Sequence, residues 1–120
     1  NSNIRVSLFI DTDKKQIDAA IACGAPVIEI HTGHYADAYD PAERELKYNE
    51  IKQACKYAHS LGLQVNAGHG LTLDNTIAIA KIDSIVELNI GHSIISRAVF
   101  VGLANATTEM KTLMLEARGL

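Results

Sequence analysis

Nowhere does this sequence sustain the roughly 18 to 20 consecutive apolar residues that a membrane-crossing helix needs. Its opening, Asn1-Ser2-Asn3-Ile4-Arg5, lacks the basic and apolar regions of an export signal. No membrane association is expected, and the setting read from the sequence is cytoplasmic. Proline occurs at only two positions, and no linker or low-complexity tract interrupts the chain, so residues 1–120 read as a single domain. With 48% hydrophobic and 21% charged residues there is apolar material for a packed core, which argues against disorder. Cysteine also occurs only twice, as Cys23 and Cys55, with neither CxxC spacing nor a His/Cys cluster around them. Both are expected to be buried packing residues in helices. An excess of positive charge is missing too: 11 Lys and Arg against 14 Asp and Glu leave a net charge of −3. That balance argues against nucleic acid as a general partner, and any phosphate has to be held by local groups. There is no initiator methionine, as suits a piece of a longer protein.

What is present is an alternation. Four apolar strand-like runs, Ile4 to Ile10, Pro26 to His31, Leu63 to Asn66 and Ile85 to Ile90, are separated by segments with helical periodicity. Alternation of this kind means βαβ units and a parallel sheet. Asp13 followed by Gln16 forms a plausible capping pair for a helix from Lys14 to Cys23 that Gly24 stops. Asp40-Pro41-Ala42-Glu43 is a stronger start, with an N-cap acceptor and a proline at the first helical position. That helix is expected to run to Ser60, with Lys56 and His59 in its last turn and Gly62 after it. Shorter helices are expected over Asp74 to Ala80 and Ser93 to Val101. Leu103, Ala106, Met110, Leu113, Met114 and Ala117 form a final helical stripe.

Side chains alternate across a strand, so each strand divides into two sets. One set is aliphatic: Val6, Leu8, Ile10; Ile28, Ile30; Leu63, Val65; Val86, Leu88, Ile90. The other is mixed or polar and includes Arg5, Ser7, Phe9, Glu29, His31, Gln64, Asn66, Glu87 and Asn89. A sheet covered by helices on both faces is apolar on both. The pattern instead suits a (β/α)8 barrel, whose helices lie only outside and whose interior turns polar toward one end. A full barrel takes about 250 residues, so four β/α units amount to half of one. The competing arrangement is a small open α/β domain with a solvated polar face.

In parallel α/β folds the chemistry lies at the carboxyl ends of the strands. Those ends carry Asp11; Glu29, His31, Thr32, Gly33; Asn66, Gly68, His69, Gly70; and Asn89, Gly91, His92, Ser93. Asn66-Ala67-Gly68-His69-Gly70 and Asn89-Ile90-Gly91-His92-Ser93 share the form Asn-x-Gly-His-(Gly/Ser). Such glycines let backbone N–H groups approach an oxyanion, and a helix starting after His92 points its positive end the same way. The plain alternative is that they make tight turns. His69 suits acid–base work. Glu29 can stabilise positive charge or orient a proton carrier, or else can pair with Arg5 as a structural ion pair. His34 and His59 are expected at the surface. A metal held by Glu29, His31 and His69 has no diagnostic ligand spacing, and neither glycine segment matches a nucleotide-binding fingerprint, so no metal and no organic cofactor are expected.

Taken together, Val6-Ser7-Leu8-Phe9-Ile10-Asp11, the run from Gly24 through Ile28-Glu29-Ile30-His31-Thr32-Gly33, the run from Gly62 through Asn66-Ala67-Gly68-His69-Gly70-Leu71, and Glu87-Leu88-Asn89-Ile90-Gly91-His92-Ser93 resemble, in order, signatures of the pyridoxine 5'-phosphate synthase family. The resemblance implies the carboxyl-terminal half of a (β/α)8 barrel. It implies an enzyme that condenses 1-deoxy-D-xylulose 5-phosphate with 3-amino-2-oxopropyl phosphate, releasing phosphate and water. It assigns Glu29 as a transition-state-stabilising carboxylate, His69 as a proton donor, and Gly70, Gly91 and His92 to the phosphate of the aminoketone. Asp83 and Thr12 stand where that family more often has proline. The family's first half, with its two bases and an Asp-His substrate segment, has no counterpart here, so the chain by itself is expected to be inactive and to need that half as a partner. A homo-oligomer is expected as well. The non-catalytic alternative is a phosphate-binding or self-associating half-barrel module, since unpaired strand edges favour association.

Overall fold

A computed structural model describes residues 2–120. Strands and helices alternate as β1 (Ser7–Ile10), α1 (Lys14–Ala22), β2 (Val27–His31), α2 (Gly33–Asp37), α3 (Pro41–Ser60), β3 (Gln64–Gly68), α4 (Thr76–Ala80), β4 (Ile85–Asn89), α5 (His92–Val101) and α6 (Leu103–Ala117). Every strand pair is parallel, and the order across the sheet is the order in sequence, β1-β2-β3-β4. A doubly wound sheet reverses its order at a switch point, whereas right-handed crossovers between successive neighbours carry every helix to the same side. The chain is therefore α/β with the winding of a barrel segment. Among the described residues no helix is long and apolar enough to cross a membrane.

The register explains the core. Leu8, Ile28, Val65 and Ile85 form one cross-strand row, and Ile10, Ile30, Ala67 and Leu88 the next. Ile28, Ile30, Val65 and Ala67 are fully buried, in one cluster with Ile17 of α1 and Ile51, Cys55 and Ala58 of α3. Each large aliphatic side chain so enclosed contributes about 1.5–3 kcal/mol. The stabilising mass of the molecule therefore sits between β2–β3 and α1–α3.

The register also corrects one expectation. Val65 pairs with Ile85 but Asn66 pairs with Glu87, so β4 carries one extra residue at a bulge. Val86, assigned by simple alternation to the helix-covered side, is 70% exposed, and Ile85 takes that place at 3%. A bulge slips the period of two by one residue, which alternation along one strand cannot reveal.

Helix ends follow local chemistry. Asp13 accepts from the Lys15 amide at 2.8 Å, but Gln16 reaches past it to accept from the Asp11 amide at 2.9 Å. Asp40 accepts from the Glu43 amide at 2.9 Å, with Pro41 opening α3. Gly24 and Gly62, at φ +74° and +86°, turn the chain out of α1 and α3.

Other boundaries differ from those expected. β1 begins at Ser7 rather than Ile4, β3 continues through Gly68, α4 starts at Thr76 rather than Asp74, and the five-residue α2 has no periodic signal in the sequence. Tyr35 of α2 is buried and donates its hydroxyl to the Asn75 carbonyl at 2.7 Å. Cys55 is fully buried, and burial pushes its thiol up to about 12. Cys23 is exposed, contrary to expectation, because it follows the last residue of α1 instead of lying on its inner face. On the final stripe, Ala106 and Met110 are buried but Leu103 is 58% exposed. Arg118, just past α6, donates to the carbonyls of Ala80, of Ile82 at 2.9 Å and of Ile85 at 2.5 Å. It thereby fastens α6 to the end of α4 and the start of β4.

Candidate active site

Parallel strands end at one common edge, and there the loops after β3 and β4 enclose a cleft of about 540 Å3. Glu29, His69, Gly70, Gly91 and His92, the five residues singled out from the sequence, all line it, together with Phe9, Leu71, Thr72, Asn89, Ile90 and Ser93. His31 faces a neighbouring cavity, and His34 and His59 are exposed.

Glu29 sits in β2 with its side chain on the polar face, in register with Phe9 and Asn66. Its Oε2 accepts from Asn89 Nδ2 at 2.8 Å, a contact that spans the whole of β3. The residue in between is Gly68, which pairs with both His31 and Asn89. A Cβ on Gly68 would fall 2.4 Å from Glu29 Oε1 and 2.7 Å from the Asn89 carbonyl oxygen. Only a residue without a side chain lets amide and carboxylate meet there. Arg5 is not the partner of Glu29: it donates to Gln64 Oε1 at 2.6 Å. Gln64 then donates to Asn66 Oδ1 at 3.0 Å, and Asn66 to Glu87 Oε1 at 3.1 Å. Each inward carboxylate thus receives an amide proton from within the chain. Among the described residues no buried side-chain polar atom lacks a partner.

His69 has a left-handed backbone, φ +86°, followed by Gly70 at +74°. A non-glycine residue held there costs about 1–3 kcal/mol, and such outliers gather at functional positions. The opposing force comes from Thr32, which is fully buried. Its hydroxyl lies 2.7 Å from the Gly68 carbonyl oxygen and 2.6 Å from that of His69, while its amide donates to Gly68 at 2.8 Å. A Cβ on Gly70 would stand 2.6 Å from Ala36 Cβ, so this loop also packs closely on α2. Flanking glycines suggest a flexible loop, yet this one is pinned on two sides.

Asn75 and Ser93 complete the frame. Asn75 accepts from the Thr72 amide at 2.8 Å and donates to the Gly70 carbonyl at 3.2 Å, and Ser93 donates to the Leu71 carbonyl at 2.6 Å. The ten-residue α5 starts at His92, so the unsatisfied N–H groups of its first turn and its positive dipole end lie at the cleft wall. Nothing lies within 4 Å of where a Gly91 side chain would project, which leaves that wall open. Chemically the cleft offers an anion-favouring end at Gly91–His92, an oriented carboxylate at Glu29 and an imidazole at His69. Sequence reading named the ends of the strands but not the Asn89–Glu29 bond, the Gly68 gap or the Thr32 clamp. Cross-strand register was the missing information.

Fold and cleft together define a barrel-type α/β protein whose polar, cleft-facing groups gather at the carboxyl ends of its strands. Residues 1–116 match the family described as Pyridoxal phosphate biosynthesis protein PdxJ, and the chain belongs to that family. It is 56% identical over 118 residues to the protein named Pyridoxine 5'-phosphate synthase of Photobacterium profundum, covering 98% of this chain and 49% of the relative. It is 63% identical over 115 residues to the protein of the same name from Coxiella burnetii, covering 96% of this chain and 48% of the relative. The chain spans about half the length of these curated relatives, as four strands and their helices suit half of a barrel.

Proposed function

We propose that this chain supplies the carboxyl-terminal half of a pyridoxine 5'-phosphate synthase, a cytoplasmic enzyme that condenses 1-deoxy-D-xylulose 5-phosphate with 3-amino-2-oxopropyl phosphate to pyridoxine 5'-phosphate, phosphate and water. Glu29 stabilises the positive charge that develops during condensation, and His69 delivers a proton late in ring closure. The amides around Gly70, Gly91 and His92 hold the aminoketone phosphate. The observation that supports this reading is the meeting of all five residues on one cleft, with Glu29 oriented by Asn89 and the first turn of α5 at the cleft wall. Acid–base work by a positioned side chain contributes about 10²–10⁴-fold in rate. The bases belong to the half of the barrel that this chain does not include, so the chain works with that half, in a homo-oligomer, and forms no product alone.

The test is a ring-formation assay on the complete protein. His69→Ala is expected to lower kcat by about 10²–10⁴-fold with a smaller change in KM. Activity within a few-fold of the parent would remove His69 from the proton-donor role. The same assay on the isolated chain is expected to give no product, and addition of the other half to restore it. Turnover by the isolated chain would overturn the division of labour.

A further inference from the structure

On the far side of His31 from the cleft, three metal-capable side chains come together. Asp11 follows β1, His31 ends β2, and His34 lies in the first turn of α2, with one ligand atom from each all within 4.8 Å of one another. None has a part in the condensation proposed above. We propose that Asp11, His31 and His34 form a site for a single transition-metal dication of the zinc type.

The geometry carries the assignment. Zinc bonds of about 2.0–2.1 Å in a tetrahedral shell set neighbouring ligand atoms about 3.4 Å apart. Asp11 Oδ1 and His31 Nδ1 already stand 3.4 Å apart. The ring of His31 cannot readily present its other nitrogen: a Cβ on Gly33 would sit 2.6 Å from Nε2, so that edge is packed against the backbone of α2. Phe9 meets the ring edge-on at 5.1 Å and His69 flanks it at 4.9 Å, which fixes its plane. The His31 ligand is therefore preorganised with Asp11 at zinc-shell spacing, and the exposed His34, its ring 5.4 Å from that of His31, supplies the third. Beside them a cavity of about 420 Å3 has room for the waters that would complete the shell; of its other charged residues Asp13 adds negative charge, while Lys47 and Glu50 neutralise each other in an ion pair at 3.1 Å. Two imidazoles and one carboxylate favour zinc, nickel or copper over magnesium and calcium, which take oxygen ligands.

The site is tested on this chain itself, without reference to activity, by calorimetric titration with Zn2+ in a Cys23→Ser background. That background is needed because the exposed Cys23 thiol is a competing ligand. One saturable site per chain is expected. His34→Ala and Asp11→Asn should each weaken it at least tenfold, whereas His59→Ala, on an exposed position at the end of α3, leaves it unchanged. Mg2+ should give no binding. Because His34 and Asp11 are exposed, their substitution keeps the fold, and circular dichroism checks this. Absence of saturable zinc binding, or affinity untouched by both His34→Ala and Asp11→Asn, would overturn the proposal.

Discussion

In the middle of the sheet Ile28, Ile30, Val65 and Ala67 are 0% exposed, whereas α5 has no buried residue and its Val99 and Phe100 are 79% and 83% exposed. The two regions are joined to the rest by different means. The centre is held by enclosure of aliphatic side chains between β2–β3 and α1–α3. The α5–α6 hairpin is held by Ala106 and Met110, by the two-pronged bond of Arg97 to Glu109 at 2.9 and 3.2 Å, and by the carbonyl contacts of Arg118. Area removed from water is worth more than exposed ion pairs, so the chain should owe its cooperativity to the first region and only the placement of its last helices to the second.

Substitutions can break or sharpen that contrast. Ile30→Ala opens a cavity in the centre and is expected to cost about 2–5 kcal/mol by urea unfolding. A loss below about 1 kcal/mol would deny the centre its role. Gly68→Ala forces a methyl group against Glu29 and the Asn89 backbone and is expected to cost about 1–3 kcal/mol, with the two strands nearest it losing amide protection first. Arg118→Ala leaves helix-end and strand carbonyls without their charged donor, at about 1–2 kcal/mol, and should loosen α6 selectively in hydrogen exchange. The Arg97 guanidinium bonded to Glu109 holds that carboxyl below its usual value of 4.5. A depressed folded value means that the pair's stabilisation is complete above the unfolded value and is lost as pH falls through the folded one. Acid titration below 4.5 should therefore loosen α5 from α6, and Glu109→Gln should flatten that part of the profile. Phe100→Ala, at the exposed extreme, should stay within about 0.5 kcal/mol of the parent.

How much of this could be read from residues alone follows the range of the interactions. The parallel α/β winding, the apolar face carrying Ile28, Ile30 and Val65, and the stops at Gly24 and Gly62 depend on neighbours close in sequence, and they were legible. So was the concentration of polar and glycine residues at the carboxyl ends of the strands. Val86 was misplaced because a bulge is a property of two strands. Cys23 was misplaced because a helix reading one residue too long put it on a face it does not share. The short α2 is too brief to show periodicity. The bond from Asn89 to Glu29 links residues 60 positions apart, and no pattern within either strand announces it. His34 was correctly expected at the surface, but its approach to Asp11 and His31 depends on where α2 begins.

The left-handed backbone at His69 sets two demands on one residue against each other. Replacing it with glycine would relieve the tension that the Thr32 hydroxyl restrains, so His69→Gly is expected to gain in the fold some of what it forfeits at the cleft. Under the role proposed for His69, the sturdier fold and the better catalyst are set against each other at this position, because the strained backbone that presents the imidazole is the one that glycine would relax.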